Sequence, residues 1–94
     1  MVGKNKKMDI YQEAATTNQY FYLYNGNVLK SLAELMDNLK NMDQEIFGQH
    51  VNQKNNDFAN WIRDIFGEKE LARRLYLSKS PLGMLNTIQK YLAS

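Results

Sequence analysis

Near the start of the chain Phe21 and Leu23 alternate with Tyr20, Tyr22 and Tyr24, and the pair Asn25-Gly26 follows. Alternation places the two sets on opposite faces of a strand. Asn-Gly is the preferred centre of a two-residue hairpin turn, where both positions take positive φ. The pattern predicts a short β-hairpin over residues 20–24 and 27–29. A hairpin of that size is marginal in water, so it must lie on helices or pair with another edge.

Beyond residue 30 the spacing changes to that of helices. Leu32, Leu35, Met36 and Leu39 share one face, and Ser31 with Glu34 three residues on forms a capping box. Asp43 is placed to cap a second helix over about 44–48, with Met42 and Phe47 as a hydrophobic staple and Gly48 as its end. The run Asn52–Asn56 reads as loop, and Asn56 or Asp57 can cap the helix that carries Phe58, Trp61, Ile62, Ile65 and Phe66. Gly67 suits a left-handed end to that helix. A fourth helix begins at Glu68 and buries Leu71, Ala72 and Leu75, with acids at its positive end and Arg73 and Arg74 at its negative end. Ser80-Pro81 opens the last, whose apolar face is Met84, Leu85, Ile88, Tyr91 and Leu92. Gly83 weakens that helix by about 1 kcal/mol relative to alanine.

These elements predict a mainly α fold: a short N-terminal β-hairpin followed by four to five short amphipathic helices. Residues 1–18 lack periodicity and contain Lys4, Lys6 and Lys7, which predicts a flexible, disordered basic tail before a single small helical domain over 19–94. Composition narrows the choices further. With no cysteine there is no disulfide framework and no thiolate chemistry, which fits a cytoplasmic location. No apolar run approaches a membrane span or a signal peptide. A net charge of +2 is too small to imply a polyanionic partner by itself.

The stretch His50–Gly67 holds the one histidine and the one tryptophan. His50 and Asp57 have the composition of an acid–base pair, with Asn52 and Asn56 as amide donors, yet no Ser or Thr stands beside the histidine in sequence. One histidine with Asp57 and Asp64 is a thin ligand set for a transition metal. A structural corner fits better: His50 packs on Trp61 and bonds Asp57, while the asparagines satisfy backbone groups. No catalytic residue, metal or cofactor is therefore expected.

Tyr20, Tyr22 and Tyr24 could stack nucleic-acid bases, but no basic-aromatic RNA-binding signature accompanies them. Arg63, Lys69, Arg73, Arg74 and Lys79 are interleaved with Asp64, Glu68 and Glu70, the pattern of a solvated face. Residues 57–77 have the outline of a helix–turn–helix, but its second helix starts with acids, at the end that normally meets base edges.

The segments Phe47-x-x-His50-Val51, Asn56 to Ile62 (NDFANWI) and Gly67-x-x-x-Leu71-Ala72, preceded by the aromatic strand with its Asn-Gly, resemble a prokaryotic domain family of unknown function. The resemblance spans about residues 20 to 92. It implies a compact helical unit, found alone or attached to other domains, and carries no catalytic residue over. The last helix departs from the family pattern, reading Ser80-Pro81-Leu82-Gly83-Met84 where a glutamate-rich first turn is usual.

The expectation is a non-enzymatic interaction module that binds a protein partner or a second copy of itself. Its contact surface is expected at Tyr20, Tyr22, Tyr24, His50, Asn52, Asn56 and Asp57. The alternative is a nucleic-acid-binding accessory protein using Lys4, Lys6, Lys7, Arg73 and Arg74. Neither reading involves a membrane or a small-molecule substrate.

Overall fold

The computed structural model describes residues 13, 14 and 16–93. Strands β1 (Phe21–Tyr22) and β2 (Val28–Leu29) pair antiparallel, with Phe21 opposite Leu29 and Tyr22 opposite Val28. Five helices follow: α1 (Leu32–Leu39), α2 (Gln44–His50), α3 (Asp57–Phe66), α4 (Lys69–Leu75) and α5 (Pro81–Ala93). The fold is mainly α with one hairpin, as the hydrophobic spacing predicts.

The hairpin turn differs from expectation. Within the turn only Gly26 has positive φ, at 95°, and no non-glycine residue described does. The Leu23 carbonyl accepts the Gly26 N–H at 2.9 Å, and Leu23 N–H donates to Asn27 at 2.8 Å, so the loop is Tyr24–Gly26. Asn25 avoids positive φ because its Oδ1 accepts the Asn27 N–H at 2.9 Å, which turns the chain through the side chain instead. The longer loop leaves strands shorter than predicted.

Helix starts follow the sequence signals more closely than helix ends do. Ser31 Oγ accepts the Glu34 N–H at 3.2 Å, while Glu34 Oε1 reaches back to the Lys30 N–H at 2.9 Å, one residue beyond the usual box. Asp43 precedes α2 but makes no side-chain cap bond. α2 also runs through Gly48 to His50, because Gly48 keeps helical geometry and the chain leaves the helix only at extended Val51, which pairs with Asn56. Gly67, at φ 69°, ends α3 as predicted, and its N–H donates to the Arg63 carbonyl.

The core joins Phe21, Leu23 and Leu29 of the hairpin to Leu35 and Leu39, Phe47, Phe58 and Ile62, Leu71 and Leu75, and Met84 and Ile88. α3 packs most extensively on α4, and α5 closes over α1 and α4. Each large apolar side chain removed from water contributes about 1.5–3 kcal/mol, which a chain this small needs from nearly every element.

The tail boundary moves inward. Ala14 is buried, and its N–H donates to the Lys30 carbonyl beside β2 at 2.8 Å. Thr17–Gln19 forms a single 3-10 turn. Part of the segment expected to be tail is thus attached to the domain, held by backbone bonds that carry no sequence signature. Lys4, Lys6 and Lys7 lie outside the described residues.

Candidate functional site

His50 closes α2 beneath the hairpin. Its ring meets Phe21 edge-on, with centroids 5.0 Å apart, and tilts against Phe58 at 5.3 Å. Nε2 accepts the Tyr24 backbone N–H at 2.9 Å, and Nδ1 lies 3.2 Å from Asp57 Oδ2. A backbone N–H only donates, so the ring proton belongs on Nδ1, where it is donated to Asp57. Both ring nitrogens are engaged, and the side chain is 11% exposed. This geometry orients the hairpin and leaves neither nitrogen directed at an open cavity. Among the described residues no group of three or more His, Cys, Asp or Glu converges to hold a metal.

The corner continues along the loop. Asp57 Oδ1 accepts Asn55 Nδ2 at 2.7 Å, Asn55 Oδ1 accepts Asn60 Nδ2 at 2.8 Å, and Asn60 Oδ1 accepts the Tyr76 hydroxyl. Asn52 Oδ1 takes the N–H groups of Lys54 and Asn55 at 2.8 and 2.9 Å. The asparagines are therefore explained largely by the turn that they build.

Two expected members of the site lie elsewhere. Trp61 does not supply the ring on which His50 rests; Phe21 and Phe58 do. Trp61 instead meets Phe21 and Phe66 edge-on and donates its Nε1–H to the Gln19 carbonyl at 2.8 Å. Asn56 cannot offer a contact surface, being 1% exposed. Its Oδ1 caps α3 at the Ala59 N–H, 3.0 Å away, and its Nδ2 donates to the Leu75 carbonyl at 3.0 Å. One buried amide thus serves the start of α3 and the end of α4.

The outer hairpin face is open. Tyr22 is 55% exposed, Tyr24 68% and Val28 39%, while Phe21 and Leu23 point into the core. Tyr20 is half-buried, with Lys30 Nζ 5.6 Å from its ring centre. The Tyr22 hydroxyl donates to the Thr17 carbonyl at 2.6 Å. His50 and Asp57 support this face from below, and Asn52 is exposed in the neighbouring loop.

Arg73 and Arg74, the described members of the alternative nucleic-acid set, both bind Glu70. Arg73 Nε lies 3.1 Å from Oε1, and Arg74 Nε 2.9 Å from Oε2. Hydrogen bonds from Arg73 first and Arg74 second hold the Glu70 carboxyl down at about 2. The same contact raises the Arg73 guanidinium above its ordinary value. On α3, the hydrogen bond to Arg63 lowers Asp64.

Comparison with known families, with curated proteins and with solved structures found no match for this chain. No helix among the described residues is long and apolar enough to cross a membrane. The residues that sequence reasoning missed are Gln19, whose carbonyl receives Trp61, and Phe21, which carries His50. A carbonyl has no sequence signal; the inward position of Phe21 was legible, but the ring above it was not.

Proposed function

We propose that the chain is a non-enzymatic interaction module that binds protein, a second copy of itself included, through the outer face of its hairpin. The supporting observation is that Tyr22 and Tyr24 stand exposed beside Val28 on a hairpin whose opposite face is buried. Their backbone is already held, by His50 at Tyr24 and by strand pairing at Tyr22, so docking them orders little that is not ordered beforehand. Aromatic side chains on a backbone held in this way give large contact area at low entropic cost, and a short strand edge can receive another chain. The alternative nucleic-acid reading rests on Lys4, Lys6 and Lys7, which lie outside the described residues, and on Arg73 and Arg74, each of which spends part of its guanidinium on Glu70. The cytoplasm is the compartment this reading assigns, in keeping with a chain that has no cysteine.

Sedimentation across a concentration series tests self-association, with Tyr22→Ser and Tyr24→Ser as variants. A dimer that both substitutions dissociate supports the proposal. For a different protein partner, a photo-crosslinking residue at Val28 should capture it in cells. A monomer at every concentration, together with no crosslinked product, would overturn the reading.

A further inference from the structure

An open cleft of about 600 Å³ lies between the end of α4 and one side of α5, from Gly83 in its first turn to Lys90 in its last. Arg73, Arg74, Lys79 and Lys90 line it, with Leu77 and Thr87 between them and no acidic side chain in the wall. Glu70, outside the wall, binds Arg73 through Nε and Nη2 and Arg74 through Nε, and Arg74 is also stacked 5.2 Å above the Tyr91 ring. Lys79 and Lys90 have no carboxylate partner among the described residues. One carboxylate against four cations leaves the cleft strongly positive, although the whole chain carries only +2.

Two further features point to an anion. Ser78 also lines the cleft and is 8% exposed, yet its Oγ is the one buried side-chain polar atom among the described residues with no hydrogen-bond partner. Buried hydroxyls are normally satisfied; Ser78 also borders the neighbouring recess lined by Gln44, Phe47 and Val51, so its hydroxyl is free to turn towards a group in either space. α5, thirteen residues long, begins beside Ser78 and Lys79, and no acid in its first turn offsets its positive pole.

We propose that this cleft binds a nucleotide, with its phosphates against Arg74, Lys79 and Lys90 and its base over Leu77. The volume lies within the range of small-ligand sites, roughly 300–1,000 Å³. Leu77, 79% exposed, offers an apolar ledge that a bare inorganic anion would not use. The four cations line one bounded cleft, Lys79 before the start of α5 and Lys90 in its last turn, and titration with an oligonucleotide separates a compact ligand from an extended backbone. The site is separate from the hairpin face and does not depend on the hairpin's role.

Amide NMR titrations with ADP, with inorganic phosphate and with a mixed-sequence single-stranded oligonucleotide test the assignment. ADP should give saturable shifts at Arg74, Leu77, Lys79, Gly83 and Thr87. The double variant Lys79→Ala, Lys90→Ala removes two exposed cations that support no other contact, and should weaken ADP about tenfold or more. Lys54→Ala, on the exposed loop before α3, should leave ADP binding unchanged. Phosphate binding as tight as ADP would overturn the nucleotide assignment, leaving a simple anion site. Shifts with the oligonucleotide but not with ADP would replace it with a nucleic-acid surface. No saturable shift with any of the three, or ADP binding untouched by the double variant, would overturn the site itself.

Discussion

His50 Nε2 accepts the backbone N–H of Tyr24 at 2.9 Å, across 26 positions of sequence. The bond ties the hairpin loop to the end of α2, and the partner bond to Asp57 ties the same ring to the start of α3. Three elements thus meet at one imidazole. His50→Ala should lower stability by about 2–4 kcal/mol, through lost ring packing and an orphaned Tyr24 N–H. Hydrogen exchange gives the sharper test: the Tyr24 amide should lose protection more than the amides of α5 do. Imidazole nitrogen shifts should also show the proton on Nδ1. Unchanged exchange at Tyr24 would mean that the bond holds nothing.

Asn56 carries a comparable load with a different chemistry. Asn56→Ala removes the α3 cap and leaves the Leu75 carbonyl without its donor, a loss of about 2–4 kcal/mol by chemical denaturation. Asn56→Asp separates the two functions. Aspartate keeps the cap acceptor but turns an oxygen towards the Leu75 carbonyl, so acceptor faces acceptor in a buried site. Near neutral pH it should cost at least as much as alanine. Lowering the pH should recover part of that stability, because a protonated carboxyl can donate to Leu75. An aspartate variant as stable as the native chain would show that the bond to Leu75 contributes nothing.

These two residues also show how far the sequence could be read. Asn56 was recognisable as a cap because it stands directly before an apolar run at helical spacing, a local signal. Its bond to Leu75, 19 residues on, has no local signal, and so the residue was expected on a surface. His50 and Asp57 were rightly paired in expectation, but Trp61 was wrongly placed beneath the ring. Helical spacing fixes which side of α3 Trp61 occupies, not which hairpin residue reaches that side first. Asn25-Gly26 marked the turn and not its type, since Asn25 spends its side chain on the Asn27 N–H. Gly48 stayed helical because the bridge between Val51 and Asn56, not the glycine, decides where α2 ends. The cleft between α4 and α5 was invisible, because Lys90 lies a full helix away in sequence from Arg73 and Arg74.

Glu70 gives a pH dependence of definite sign. Its carboxyl falls from an ordinary 4.5 to about 2 in the folded protein, chiefly through the hydrogen bond from Arg73 and then that from Arg74. A group depressed on folding contributes stability above its unfolded value and loses it as pH drops through its folded one. The native chain should therefore melt above Glu70→Gln near neutrality, with the gap closing between pH 4.5 and about 2. The site is exposed, so added salt should shrink the gap as well. A gap that stays constant through the acid range would assign the effect to packing of the glutamate stem.

Gly83 poses a conflict between helix propensity and capping. Alanine inside a helix is favoured over glycine by about 1 kcal/mol, and by propensity alone Gly83→Ala strengthens α5. A Cβ at this position, however, would lie 2.9 Å from Ser80 Oγ. That oxygen accepts the Gly83 N–H at 3.0 Å and caps the helix, a contribution of about 1 kcal/mol. Turning the hydroxyl away to admit the methyl group gives up the cap, so the two effects should nearly cancel in the native background. In a Ser80→Ala background the cap is already absent and the oxygen is gone. There Gly83→Ala should gain the full propensity term, making the cycle non-additive by about 1 kcal/mol. Chemical denaturation of the four proteins measures that coupling directly. An additive cycle would show that Ser80 shifts aside without losing its bond, and that Gly83 was not required by the cap.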